Sequence, residues 1–231
     1  MNKDLILEKI GLILNEKKDE VNIKRIPRLD DVELAFGMDN ESFVGICVSC
    51  KLNGLDAILN EYGNLETFKI SKALIMTISE VASNYGGELR SFSNDSVLLL
   101  FNDNTDKVVE KAVTAAMIIK YLLVVHEQSL IKRVEDKYYH TLDLGIGIDM
   151  GNILAGKIDN DFIWIGRAID IASLIAKSCK TNDNIGVSKE IYEILTDEVK
   201  FDGEINMWKH SILKYNKKNE RIYKTIYHTE I

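Results

Sequence analysis

Asp95 lies in the joint Ser93-Asn94-Asp95 between the two apolar-patterned halves of "GGELRSFSNDSVLLLF", residues 86–101. A carboxylate at such a joint has two readings. As a turn residue it bonds nearby backbone, and Asn94 beside it tolerates left-handed dihedrals. As a chemical group it stands at a hairpin tip, where a second acid at the end of a neighbouring strand would complete a site for Mg²⁺ or Mn²⁺ in phosphoryl chemistry. The residue after the first strand-like run, "FVGICVSC", is Lys51, not an acid. Lys51 has three readings: a solvated strand cap, a salt bridge to Asp95, or a cation for phosphate. The salt bridge is preferred, because an ammonium beside a carboxylate stabilises both charges. Arg90 precedes the tip in the first arm of the hairpin and reads equally as a surface residue. Arg167 opens the helical stretch "RAIDIASLIAKSC", either as a structural helix-start residue or as a phosphate contact. In that helix Ile169, Ile171, Ala172, Ile175 and Ala176 supply the apolar face, so Asp170 is expected to look into a cleft or a subunit seam.

The elements that must carry these residues follow from hydrophobic periodicity. "FVGICVSC" suits a strand buried on both faces. Next come a short helix "LDAILNEYGN" with a glycine stop, a helix over 65–87 ending in Gly-Gly, and the hairpin. One long helix is predicted over 105–137, with Thr105 as N-cap and a buried stripe of Val108, Val109, Ala112, Ala116 and Ile119. "LDLGIGIDMG" reads as a central strand, "NILAGKI" and "DFIWIG" as two short ones, "NIGVS" as a strand running into a helix over 189–195, and "ERIYKTIYH" as a terminal strand. The order strand, helix, hairpin, helix, strand is the α/β (α+β) ferredoxin-like βαββαβ pattern, with additional strands and helices. Residues 1–23 hold a short amphipathic helix (Leu5, Ile6, Ile10, Ile13, Leu14), and residues 24–42, with the single proline Pro27, read as a linker.

The 231 residues are 46% hydrophobic and 28% charged, with a formal net charge of -7. An acidic chain is a poor general partner for nucleic acid or anionic membrane. No apolar run approaches a membrane span, and charges interrupt the first twenty residues, so a cytoplasmic protein without a signal peptide is expected. Three cysteines at irregular spacing argue against a disulfide framework or zinc site. Cys47 and Cys50 would point to opposite faces of their strand. His126 and His140 have no partner pattern, Phe162 and Trp164 read as core or interface, and Gly145, Gly147 and Gly151 read as close-packing positions rather than a dinucleotide fingerprint.

Four stretches together resemble the class III nucleotidyl cyclases, nearest the bacterial pyrimidine cyclases of Pycsar antiphage systems: "KLNGLDAILNEYG", "YGGELRSFSNDSVLLLF", "LGIGIDMGNILAGK" and "FIWIGRAIDIASLIAK". The resemblance implies a cyclase-like domain over 43–231 that works as a head-to-tail homodimer, each site taking a metal half from one chain and a polar half from the other. It makes Asp95 a ligand for Mn²⁺ or Mg²⁺ and puts Asn94 at the family's glycine before it. The second metal aspartate falls on Lys51, or on Cys50 if the register moves by one. The ribose-binding asparagine and the following basic residue fall on Asp170 and Leu174. Arg90 matches the base-reading arginine of the pyrimidine branch, and Arg167 its helix-start arginine. The coincident departures at Lys51, Asp170 and Leu174 point to a pseudocyclase that binds a nucleoside triphosphate. The alternatives are a working cyclase making cyclic CMP or cyclic UMP, and a structural dimerisation module without ligand.

Overall fold

The computed structural model describes residues 3–15, 21–22, 24–28, 41–103, 105–158, 161–180 and 183–230. In chain order these form α1 (Lys3–Asn15), β1 (Val21–Asn22), β2 (Glu41–Asn53), α2 (Leu55–Asn84), β3 (Gly87–Phe92), β4 (Ser96–Asn102), α3 (Asp106–Lys120), a π-helical turn (Tyr121–Val125) and α4 (Leu130–Tyr138). They continue with β5 (Asp143–Ile158), β6 (Asp161–Ile165), α5 (Arg167–Ser178), β7 (Ile185–Ser188), α6 (Lys189–Ile194), α7 (Asp197–Lys200), β8 (Phe201–Asp202), β9 (Ile205–Asn206), β10 (Lys209–Tyr215) and β11 (Lys218–Thr225).

The main sheet is ordered β10-β11-β7-β5-β2-β4-β3, with β1 on β2 and β6 on β5. Its segment β5-β2-β4-β3 is the expected βαββαβ core. Within this segment β4 and β5 are both antiparallel to β2, whereas the short β1 is parallel to it, and the register sets Lys51 between Ser96 on one side and Gly145 on the other. Strand alternation divides β2 between two layers. Ile46, Val48, Cys50 and Leu52 pack under α2 and α3, whereas Phe43 and Cys47 pack with Leu100, Ala168 and Ala172 on the α5 side. Cys47 and Cys50 therefore do face opposite ways. The glycines of β5 let α5 settle directly on the strand. A Cβ at Gly145 would lie 2.0 Å from the Ala176 carbonyl oxygen, and one at Gly147 would lie 2.0 Å from that of Ala172.

Several elements differ from expectation, for local reasons. The helix expected over 105–137 is broken: a π-helical turn follows α3, and Ser129 starts α4 anew by accepting a hydrogen bond from the Lys132 N–H at 3.3 Å. Thr105 occupies the N-cap of α3, but its hydroxyl makes no capping bond. The two helices expected from Leu55 onward are by contrast borne out: they meet within α2 at a kink, where Gly63 has non-helical backbone (φ 79°, ψ -176°) and acts as the expected glycine stop. "NILAGKI" continues β5 rather than forming its own strand, because no turn residue interrupts the alternation. β10 went unrecognised, since an edge strand with alternating charges lacks an apolar signature. The N-terminal helix forms, with Leu5, Ile6, Ile10 and Leu14 exposed. Most of the expected linker, residues 29–40, lies outside the described residues. Within it, Ile26 is buried against Phe43 and Cys47, and the strand already begins at Glu41.

Candidate active site

The hairpin turn is tied to the end of β2 by backbone. The Leu52 N–H donates to the Asp95 carbonyl at 2.7 Å, and the Ser93 N–H donates to Ser96 O at 2.8 Å. This fixes Asp95 beside Lys51, whose Nζ donates to Asp95 Oδ2 at 2.5 Å. The Ser93 hydroxyl donates to Asp95 Oδ1 at 3.2 Å. Cys50, the neighbouring residue at the end of β2, is fully buried in the opposite layer, and burial pushes its thiol up to about 12. Asn94 is exposed and does not take the left-handed backbone that the turn reading allowed.

A cavity of about 180 Å³ lies between this hairpin and α5. Its polar lining is hydroxyl: Ser49, Ser91, Ser93, Ser96 and Ser173, with Leu98 and Ile169 as part of its apolar wall. Ser49 and Ser173 escaped sequence reasoning, because isolated serines carry no spacing signal. That volume is below the few hundred Å³ of a usual small-molecule site.

Arg90 is the extra residue of a β-bulge in β3, where the register with β4 shifts between Leu89 and Ser91. The bulge turns its side chain away from solvent. The guanidinium pairs with Glu88 and lies 5.6 Å over the Trp164 ring, and its Nε is buried without a hydrogen-bond partner among the described residues. Burial lowers the Arg90 pKa. Glu88 opposes that shift and nearby Arg28 adds to it.

Arg167 and Asp170 come together at the other end of the site, in the first turn of α5. Asp170 Oδ2 accepts from the Tyr215 hydroxyl at 3.2 Å. Arg167 Nη2 lies 3.1 Å from Glu220 Oε1, Nη1 lies 3.8 Å from Asp149 Oδ2, and the guanidinium sits 5.9 Å from the Tyr215 ring centroid. Burial works against the Arg167 charge, but Glu220, Asp149 and Glu190 outweigh it and hold the pKa up. Leu174, one turn further on, packs against the buried cluster that contains Ile171, Ile175 and Leu213. Lys51 and Asp95 thus belong to β2 and the β3–β4 hairpin, whereas Arg167 and Asp170 are engaged with β10 and β11. Asp149 is the charged group that sequence reasoning missed. Its signal was an acid in the middle of a strand whose same-face neighbours are Gly147 and Gly151.

The residues around Asp95 do not fit a resident divalent cation. A hard cation wants several oxygen donors, often carboxylates. Asp95 already holds the Lys51 ammonium, and among the described residues no group of three or more His, Cys, Asp or Glu is placed to hold a metal. Nor is any helix among them long and apolar enough to cross a membrane.

No protein-family model matches the chain. It is 22% identical over 203 residues to a uridylate cyclase of Burkholderia cepacia, covering 86% of each sequence. It is 24% identical over 173 residues to a uridylate cyclase of Rhodovulum sp. (strain MB263), covering 70% of each. Among solved structures it superposes on the adenylyl cyclase CyaB from P. aeruginosa with a TM-score of 0.68, at 18% identity, over 81% of this chain and 96% of that one. The guanylyl cyclase Cya2 gives a TM-score of 0.65 at 18% identity, over 82% and 94%. The central, mostly antiparallel sheet matches the fold of these cyclases. The chain therefore has the fold of the nucleotidyl cyclases and is similar in sequence to two uridylate cyclases.

Proposed function

We propose that this domain is a catalytically degenerate cyclase that binds a nucleoside triphosphate without cyclising it. The observation that carries the reading is the Lys51 ammonium on Asp95 Oδ2 at 2.5 Å, a cation supplied by the chain itself beside the carboxylate that the family resemblance assigns to metal. The polar half supports it: Asp170 offers a carboxylate where a neutral donor would meet ribose, and Leu174 offers no donor at all. A missing metal position and a missing charge-stabilising donor are each worth about 3–4 kcal/mol in the transition state, together about five decades in rate. Arg167 and Arg90 remain as cations for phosphate and base. The serine-lined cavity is smaller than a nucleotide site, which accords with completion by a second copy in a homodimer. The resemblance would set this role in antiphage signalling.

The second reading is an active pyrimidine cyclase, favoured by the uridylate cyclases among the relatives. Incubation with ATP, GTP, CTP or UTP plus Mn²⁺, with products resolved by mass and melting followed in parallel, separates the two. The expected result is a raised melting temperature with at least one nucleotide and no cyclic product. A cyclic pyrimidine monophosphate that disappears in Asp95→Ala would overturn the degenerate reading in favour of the active one. No melting shift and no product would leave a structural module.

A further inference from the structure

Burying a carboxylate carries a large desolvation cost unless nearby donors and cations compensate it. Asp149 is fully buried; the Ser188 side chain and the Met150 backbone lie close enough to favour its charge, but among the described residues no hydrogen bond of good geometry reaches either carboxylate oxygen. It rises from β5 beneath the first turn of α5. The groups around it are Arg167 of α5, Ser188 at the end of β7, Glu190 of α6 and Cys47 of β2. Arg167 is the nearest cation, at 3.8 Å, and Glu220 of β11 holds the other side of the same guanidinium at 3.1 Å. One acid sets a distance. Two acids on different strands set the plane of the guanidinium, here against the Tyr215 ring.

We propose that Asp149 is a positioning residue for Arg167, fixing the guanidinium at the start of α5 in the orientation from which it meets a triphosphate. The inference rests on the nucleotide-binding reading above. Glu220 is partly exposed and leaves Arg167 free to swing about one contact; the buried partner removes that freedom. Asp149 does not itself touch the nucleotide.

The test has two arms. In the first, UTP affinity is measured for Asp149→Asn in the wild-type and in the Arg167→Ala background. About a tenfold loss is expected in the former and no further loss in the latter. An equal loss in both backgrounds would show that Asp149 acts elsewhere and would overturn the proposal. In the second, which needs no nucleotide, the Asp149 carboxyl is titrated by carbon-13 NMR. Removing the Arg167 charge is expected to move its midpoint upward, and an unmoved midpoint would overturn the coupling. Absence of binding of each of ATP, GTP, CTP and UTP by the wild-type chain would overturn the nucleotide-binding reading, and the carboxyl titration would then decide the Asp149–Arg167 coupling by itself; if another of the four binds and UTP does not, that nucleotide replaces UTP in the first arm.

Discussion

Gly147→Ala is expected to destabilise the domain by about 3 kcal/mol or more, read as a lowered midpoint in chemical denaturation. The new methyl would sit 2.0 Å from the Ala172 carbonyl oxygen and 2.5 Å from the Ala176 nitrogen. Both are helix backbone, so no rotamer change relieves the clash, and α5 must lift from β5 as a body. Lifting it also moves Arg167 and Asp170, so nucleotide-induced stabilisation should fall with stability. Gly151→Ala is the internal control. Its methyl would meet only Ala168 Cβ, at 3.6 Å, an ordinary contact. That variant is expected to stay within about 0.5–1 kcal/mol of wild type. Equal behaviour of the two variants would mean that α5 does not rest on β5 as described.

Asp149→Asn is expected to stabilise the domain at neutral pH, by up to about 3 kcal/mol. Burial pushes the Asp149 carboxyl up to about 6, against weaker opposing help from Ser188, the Met150 backbone and Arg167. That is roughly two pH units above an unperturbed aspartate, and each unit corresponds to about 1.4 kcal/mol. The sign follows from which state binds the proton more tightly. Below about pH 4 the carboxyl is protonated both folded and unfolded, and no penalty exists. Between about 4 and 6 the unfolded chain ionises first, so wild-type stability falls as pH rises. Above about 6 the full penalty is present. The stability difference between the Asp149→Asn variant and wild type should therefore widen from about pH 4 to 6 and then level off, in denaturant melts taken at each pH. Any pH-independent cost of the amide cancels in that slope. A flat difference would mean that the ionised carboxylate is as well solvated in the fold as in the unfolded chain.

The parts of this site that were legible in the sequence are those written in short, contiguous stretches. The hairpin with Asp95 at its tip, the glycine-alternating strand and the helix opened by Arg167 each carry their pattern within a few turns of chain. The Lys51–Asp95 pair was legible as the preferred of three readings, because an ammonium beside a carboxylate stabilises both charges. What lay hidden was set by contacts distant in sequence. Tyr215, which holds Asp170, and Glu220, which holds Arg167, come from the hairpin of β10 and β11, and β10 has no apolar periodicity to announce it. The burial of Arg90 depends on a bulge, which adds one residue to a strand without altering its composition. The break after α3 was masked because "YLLVV" is apolar at every position and fits a helix of any pitch.

The split of β2 between two layers also equips the domain with its own reporters of breathing. All three thiols are buried: Cys47 under α5, Cys50 under α2 and α3, and Cys179 at the far end of α5. Burial pushes Cys50 and Cys179 up to about 12 and Cys47 higher still, so none is a thiolate at neutral pH. Alkylation of the native protein must then wait for an opening that exposes the sulfur. If the two layers separate independently, Cys47 and Cys50 will be modified at different rates; if the sheet opens only when the whole domain unfolds, all three will share one rate. Mass spectrometry of a timed alkylation, with and without nucleotide, would show which layer a ligand holds shut.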